Sequence, residues 1–171
     1  MTETQVDAEA LLDEAMKKSS LVWVGVPPAR PRPAWFVWLD GAAYVLTGGE
    51  GEQPLPGLPE AATVDVSVRS KDKGGRLITW TADVSEVEPD SAEWEELTPH
   101  LYKARLNAAP DKGPSFWARE SYLLKLTPNG RYPELPGGYV ESPAVRTVPT
   151  PATSKTKRPF MLGGKRRRAD R

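Results

Sequence analysis

The fold is decided by the stretch Ala34-Trp35-Phe36-Val37-Trp38-Leu39-Asp40-Gly41-Ala42-Ala43-Tyr44-Val45-Leu46-Thr47. Two apolar runs flank Asp40-Gly41. An Asp-Gly pair in that setting is the strongest short-range signal for a β-hairpin, because both central residues of a type I′ turn need positive φ. The sequence therefore predicts two antiparallel strands, residues 34–39 and 42–47, joined by a tight turn.

Further strands are predicted on both sides of this hairpin. Residues 21–26 form an apolar run before it, and residues 63–69 place valine at every second position after it, the period of a half-buried strand. Residues 76–87 and 116–126 are predicted as two more strands. A meander of this kind limits the fold to small barrels and sandwiches.

Two helices are predicted beside the strands. Residues 6–18 carry apolar side chains close to one helical face. A second helix is expected to begin at Asp90, which together with Glu93 makes a capping box, and to end near Asn107. Pro99 lies inside this helix and is expected to kink or split it, because proline removes an intrahelical hydrogen bond.

Composition excludes several kinds of site. The chain has no cysteine and one histidine, His100, so disulfides, thiolate zinc sites and multi-histidine metal sites are excluded. The N-terminal residues lack a secretory signal pattern, and no apolar run approaches the roughly 20 residues that span a bilayer. We therefore expect a soluble cytoplasmic protein with no membrane partner.

Charge is distributed unevenly along the chain. Residues 155–171 hold eight Lys and Arg against one Asp, a net +7, and because the whole chain is neutral the remainder carries −7. Residues 1–128 are predicted to be the folded domain, and residues 129–171 a Pro-rich linker followed by a basic disordered tail. The run Lys165, Arg166, Arg167 and Arg168 is typical of arms that bind nucleic acid. The alternative is a tail that solubilises the chain or neutralises its acidic body.

The turn between the predicted strands 63–69 and 76–87 carries candidate anion-binding residues. Arg69, Ser70, Lys71 and Lys73 combine cations with turn amides, and both favour a phosphate. An ordinary solvated hairpin turn is the alternative interpretation.

Arg105 and Trp117 form a second candidate pair. An arginine and a tryptophan at a barrel rim can hold an anionic planar ligand by charge and stacking. The alternative is a surface ion pair and a core tryptophan. Two interpretations also exist for three other tryptophans. Any one of them could line a ligand groove or belong to the core: Trp23, Trp35 and Trp38.

Residues 32–47, Arg-Pro followed by the hairpin, resemble the pyridoxamine 5′-phosphate oxidase-like split-barrel family, especially its short actinobacterial members. The resemblance extends over residues 6–128. It implies a mainly β fold, an antiparallel split β-barrel with flanking helices. It also implies a homodimer that binds FMN or a deazaflavin at the dimer interface, with the flavin as hydride carrier. Arg32 and Trp38, within the matching segment, join the candidate cofactor-binding residues.

The chain departs from the family where the flavin phosphate is usually held. Residues 48–56 read Gly-Gly-Glu-Gly-Glu-Gln-Pro-Leu-Pro, and Glu50 and Glu52 would repel a phosphate. Either the phosphate is held by Arg69, Lys71 and Lys73, or the flavin has been lost. Two functions follow: an oxidoreductase-like flavin or deazaflavin protein whose site is degenerate, or a non-enzymatic barrel that binds nucleic acid or a nucleoprotein through its tail.

Overall fold

The computed structural model describes residues 7–72, 74–105 and 112–139, which form one antiparallel sheet with three helices. The strands are β1 (Leu21–Gly25), β2 (Arg32–Trp35), β3 (Val37–Leu39), β4 (Ala42–Thr47), β5 (Thr63–Arg69), β6 (Arg76–Glu86) and β7 (Tyr122–Pro128). The helices are α1 (Ala8–Lys18), α2 (Ala92–Ala104) and α3 (Pro114–Glu120). The strand order is β2-β1-β5-β6-β7-β4-β3, so the two edge strands are consecutive in the chain and the sheet nearly closes into a barrel.

The bend between β2 and β3 is what closes the barrel. A single strand was predicted over residues 34–39, but the chain breaks at Phe36, so that prediction was wrong. Trp35 pairs with Leu21 of β1, whereas Val37 pairs with Tyr44 of β4 at the opposite end of the sheet. One bent segment thus supplies both edges, a long-range arrangement that the apolar run could not reveal.

The side chain of Gln53 bridges the seam between the edge strand β2 and β4, the neighbour of the other edge strand β3. Its Oε1 accepts from the backbone N–H of Trp35 at 2.8 Å, and its Nε2 donates to the carbonyl oxygens of Trp35 and Leu46, both at 3.0 Å. An amide side chain therefore stands in for ladder hydrogen bonds where the backbone bends away, satisfying polar groups that would otherwise be orphaned.

The Asp40-Gly41 hairpin is confirmed. Both residues have positive φ, 49° and 75°, as a type I′ turn requires, and Leu39 pairs with Ala42 directly behind the turn. The alternation of β5 is confirmed as well, since its three valines are buried.

Two apolar clusters lie on opposite faces of the sheet. The interior cluster collects inward side chains from the strands together with Leu12, Ala15 and Met16 of α1. The outer cluster lies between β4, β7 and the helices α2 and α3, and includes Trp94, Leu101 and Trp117 among its buried members. Every residue of β4 is buried, because the interior covers one face and the helices cover the other.

The helices differ from the prediction in three respects. The N-cap of α2 is Ser91, whose side chain accepts from the N–H of Trp94, and Asp90 precedes it with φ of 62°. The helix continues through Pro99 to Ala104, and the predicted end at Asn107 lies outside the described residues. Residues 116–120, predicted to open the last strand, are helical, because Pro114 at the first helical position starts α3 and the strand begins only at Tyr122.

Contacts with the barrel continue beyond the last strand, through residues 129–139. The carbonyl oxygens of Arg131 and Glu134 accept from the N–H groups of Thr81 and Thr79, both at 2.9 Å, and the Tyr139 hydroxyl donates to the Leu77 carbonyl. The predicted boundary between the folded domain and the linker, at residue 128, stays a prediction, because residues 140–171 lie outside the described residues. No helix within the described ranges is long and apolar enough to cross a membrane.

Replacing Gln53 with Ala should lower the free energy of unfolding by about 2 to 4 kcal/mol, because three backbone groups at the seam lose their partner. Urea denaturation of the variant and of the unaltered protein measures the difference. Glu95→Ala, an exposed position on α2, is the control and should change stability little. A Gln53→Ala variant as stable as the control would contradict the role given to the amide.

Candidate functional site

A groove of about 560 Å³ lies between α1 and the turn that joins β5 to β6. We call it the α1 groove. Its apolar wall includes Leu21 and Trp23, and its polar wall is the start of the β5–β6 turn. The predicted anion-binding residues Arg69, Ser70 and Lys71 all line it, so the structure brings these three together. Lys73 lies outside the described residues.

The geometry of the turn presents these side chains at the groove. The N–H of Ser70 donates to the Gly75 carbonyl at 2.7 Å, and the N–H of Gly74 donates to the Ser70 carbonyl at 2.9 Å, so the backbone closes the turn. The Arg69 guanidinium lies 5.5 Å from the centroid of the Trp23 ring, a cation–π distance. A cation and an aromatic face thus share one wall.

Charge in the α1 groove is mixed. Lys18 pairs with Glu14, and that hydrogen bond is the main cause that raises the pKa of Lys18, with a smaller contribution from Asp72. Because Glu14 is paired with Lys18, Arg69 and Lys71 supply the remaining positive charge of the groove, and Asp72 places one negative charge beside them.

A second cavity, of about 700 Å³, lies across Ser20 and Leu21 from the first, and these two residues line both. We call it the Glu52 cavity. Trp35 and Phe36 supply aromatic surface, and Glu52, Gln53 and Arg105 supply polar groups.

The carboxylate of Glu52 is held inside the protein. Its side chain has no exposed surface, and its Oε1 accepts from the Arg105 guanidinium and from the Trp117 indole N–H at 3.1 Å. Arg105 also donates to the Gly51 carbonyl at 3.1 Å. The second oxygen, Oε2, is buried and has no hydrogen-bond partner in the part of the chain that the structure describes.

Burial raises the pKa of Glu52 above its ordinary value, because removing the carboxyl from water disfavours its charged form. The charge of Arg105 acts in the opposite direction but leaves the pKa raised. The site therefore holds a carboxyl group whose ionisation costs more than it would in water.

The remaining predicted residues lie in different places. Arg105 and Trp117 are close together, as predicted, but both contact Glu52, and Trp117 is fully buried on α3. Trp38 donates from Nε1 to Asp13 at 2.9 Å and packs edge-on against Trp80, with ring centroids 6.2 Å apart.

Arg32 lies in neither of the two cavities. It lines a shallower groove together with Tyr122 and the prolines of the β4–β5 loop.

Sequence reasoning missed the roles of Glu52 and Gln53. Glu52 was considered only for its repulsion of a phosphate and Gln53 was given no role, since neither the spacing nor the hydrophobic pattern distinguishes them from surface residues. Glu50, by contrast, is 86% exposed at its side chain and pairs with Lys112 at 3.3 Å. The one sequence signal was an apolar residue, Leu55, between two prolines of the loop. Leu55 packs in the interior cluster, and the residues that precede it lie close to the barrel.

Several solved structures share the fold of this chain at low sequence identity. HutZ, the heme storage protein from Vibrio cholerae, is 16% identical and matches 74% of this chain and 94% of its own, with a TM-score of 0.52. A proposed pyridoxamine 5′-phosphate oxidase from Listeria innocua is also 16% identical, over 74% of this chain and 98% of its own, with a TM-score of 0.51.

A proposed 5-nitroimidazole antibiotic resistance protein from Bacteroides thetaiotaomicron is 13% identical over 72% of this chain and 81% of its own, with a TM-score of 0.51. No family model and no curated protein matches the sequence. The chain therefore has the split β-barrel fold of pyridoxamine 5′-phosphate oxidase-like proteins, which confirms the predicted fold class and resemblance.

The predicted nucleic-acid-binding residues, Lys165, Arg166, Arg167 and Arg168, lie outside the described residues. That function and the disorder of the tail stay predictions.

The raised pKa of Glu52 gives a pH dependence. A carboxyl whose pKa is higher in the folded state contributes stability that is present at low pH and is lost as the pH rises through its folded pKa. Glu52→Gln removes this titration. The unfolding free energy of the unaltered protein minus that of the variant should therefore be larger at pH 4 than at pH 8.

Thermal or urea unfolding at the two pH values measures this difference, with Glu50→Gln as the exposed control. A difference that instead grows with rising pH would show that Arg105 outweighs burial at this carboxyl.

Proposed function

We propose that the protein binds a flavin, FMN or a deazaflavin, through the α1 groove, with the phosphate held by Arg69 and Lys71. The observation that carries the proposal is the placement of these two cations beside the ring of Trp23 and the apolar side chain of Leu21. Cations for a phosphate and apolar or aromatic surface for a planar ring are the groups that such a ligand needs. The similar barrels include a heme storage protein and a proposed pyridoxamine 5′-phosphate oxidase, which supports a planar or phosphate-bearing ligand.

The β4–β5 loop fits a phosphate poorly. Its buried carboxylate already occupies Arg105, and Glu50 adds an exposed negative charge. A phosphate placed there would be repelled by the charges of Glu50 and Glu52, whereas the β5–β6 turn sets Arg69 and Lys71 against the one carboxylate of Asp72. This favours the β5–β6 turn as the anion site.

A bound flavin supplies hydride transfer, and on that basis the proposed activity is that of an oxidoreductase. The contribution of the chain is to bind and orient. Trp23 and Leu21 exclude water from one side of the groove, and Arg69, fixed over the Trp23 ring, sets the position of the anionic end. The substrate is not specified by these residues.

A homodimer belongs to the same proposal. It is supported by the resemblance of residues 32–47 to a family that implies a homodimer with the flavin at the dimer interface. Sedimentation velocity at micromolar concentration should then give a dimer, and a monomer throughout would contradict this part of the proposal.

Nucleic-acid binding by the basic tail is the second candidate, and the +7 charge of residues 155–171 favours it. Affinity for a single-stranded oligonucleotide should fall by orders of magnitude between about 50 and 200 mM salt, because phosphate contacts release counterions. Deleting residues 155–171 should abolish the binding. No binding by the full chain at low salt would exclude this candidate.

The flavin proposal is tested by comparing FMN with riboflavin, which lacks the phosphate. Flavin fluorescence titrations should give an FMN affinity about tenfold or more above that for riboflavin, because charge-assisted contacts hold the phosphate. Lys71→Glu should remove most of this advantage and leave riboflavin affinity unchanged.

Lys103→Glu is the control, an exposed lysine of α2 with the same change of charge. It should affect neither ligand. Equal affinities for FMN and riboflavin, or an FMN affinity that Lys71→Glu leaves intact, would show that the phosphate is not held at this turn.

A further inference from the structure

Two arginines lie opposite each other where β5 and β6 meet their connecting turn. Arg69 pairs with Arg76 in the antiparallel register, and like charges placed directly opposite each other destabilise a strand pair. Each arginine has its own partner. The Arg69 guanidinium lies over the Trp23 ring in the α1 groove, whereas Arg76 forms an ion pair with Glu134 at 2.6 Å. The structure thus turns Arg69 towards the groove and pairs Arg76 with a carboxylate.

Glu134 is fixed in place by the segment that follows β7. The backbone N–H of Thr79 donates to the Glu134 carbonyl at 2.9 Å, and the Thr79 hydroxyl donates to the second carboxylate oxygen of Glu134 at 2.8 Å. That hydroxyl also lies 2.8 Å from the hydroxyl of Ser67 on β5. The Glu134 side chain is only 12% exposed. A fixed negative charge is therefore separated from the proposed phosphate site by the width of β6.

Arg76 lies within reach of the phosphate site. Opposite residues of an antiparallel pair have Cβ atoms about 5 Å apart, and an arginine side chain is longer than this distance. The next residue, Leu77, lines the α1 groove, so the chain enters the wall of the groove directly after Arg76. The Arg76 side chain is 36% exposed and is not enclosed by the core. Its ion pair with Glu134 is what directs it away from Arg69.

We propose that Glu134 restricts the anion site of the α1 groove to a single phosphate group. Its carboxylate holds Arg76, and its own charge repels a second phosphate group that extends from Arg69 towards β6. A phosphate monoester needs only Arg69 and Lys71 and is accepted. This inference rests on the proposed phosphate site, and it adds the residue that determines which anions the site takes.

The test uses two anions without a ring, inorganic phosphate and inorganic pyrophosphate. Calorimetric titrations are made at low ionic strength, where charges are little screened. Glu134→Gln should tighten pyrophosphate binding about fivefold to tenfold, because one like charge at short range is removed and Arg76 loses its ion pair. Phosphate binding should stay nearly unchanged. A merely structural role for Glu134 predicts weaker binding of both anions, and that result would overturn the proposal.

The variant is expected to fold, because the backbone hydrogen bonds between Glu134 and Thr79 do not use the carboxylate. Glu95→Gln, at an exposed glutamate of α2, is the control with the same change of charge and should alter neither affinity. An equal gain for pyrophosphate in this control would trace the effect to net charge and overturn the proposal. So would the absence of binding of either anion by any variant.

Arg76→Gln identifies the cation that is released. Alone it should leave phosphate binding unchanged, and together with Glu134→Gln it should cancel the gain for pyrophosphate, as expected for two residues in contact. Loss of phosphate binding in Arg76→Gln alone would show that this arginine already holds the phosphate. A pyrophosphate gain that persists without Arg76 would show that it is not held in reserve. Either result contradicts the proposal.

The outcome is separable from that of the flavin proposal. A Lys71-dependent advantage of FMN over riboflavin, without a pyrophosphate gain in Glu134→Gln, would support the phosphate site and overturn this inference. A pyrophosphate gain that depends on Arg76, in a protein that does not distinguish FMN from riboflavin, would do the reverse.

Discussion

The bend at Phe36 is the constraint on which the rest of the structure depends. Because β2 and β3 are one segment paired at both ends of the sheet, the sheet must curl until its edges meet. A residue before the bend pairs with β1 and a residue after it pairs with β4, so register at both seams is set within a few residues. The interior cluster can fill only when this closure is complete.

Closure also positions the candidate ligand site. Gln53 bridges Trp35 and Leu46, and this fixes the backbone of the residue before it. Glu52 is thereby held against Arg105 and Trp117, with its carboxylate out of water. An exposed loop would let this carboxyl turn to solvent. Glu52 is buried because the next residue, Gln53, bonds both sides of the seam. The same short loop therefore closes the barrel and contributes to the candidate site.

The sequence predicted the elements that depend on local pattern. The Asp40-Gly41 turn needs only two residues with positive φ, and the alternation of β5 needs only one buried face, so both could be predicted from the sequence.

The split at Phe36 could not be predicted, because each half is apolar and the division depends on partners far along the chain. The start of α3 was missed although Pro114 marks it, since the apolar residues that follow suit a strand equally well. The Arg69–Lys71 group could be predicted because neighbours in a turn stay neighbours, whereas the contact of Glu52 with Arg105 joins residues far apart in sequence.

The outer face of β1 connects these observations. Val22 and Val24 point into the barrel, so alternation directs Leu21 and Trp23 outward. Trp23 meets Arg69 in the α1 groove, and Leu21 lines both that groove and the Glu52 cavity. Among the residues that the structure describes, β1 contributes none to the outer apolar cluster, whereas the outer face of β4 is covered by α2 and α3. Substitutions on the outer face of this strand change the lining of both cavities without touching its packed inner face. The cationic wall of the α1 groove and the Glu52–Arg105 wall therefore lie on the two sides of one outward side chain of β1, that of Leu21.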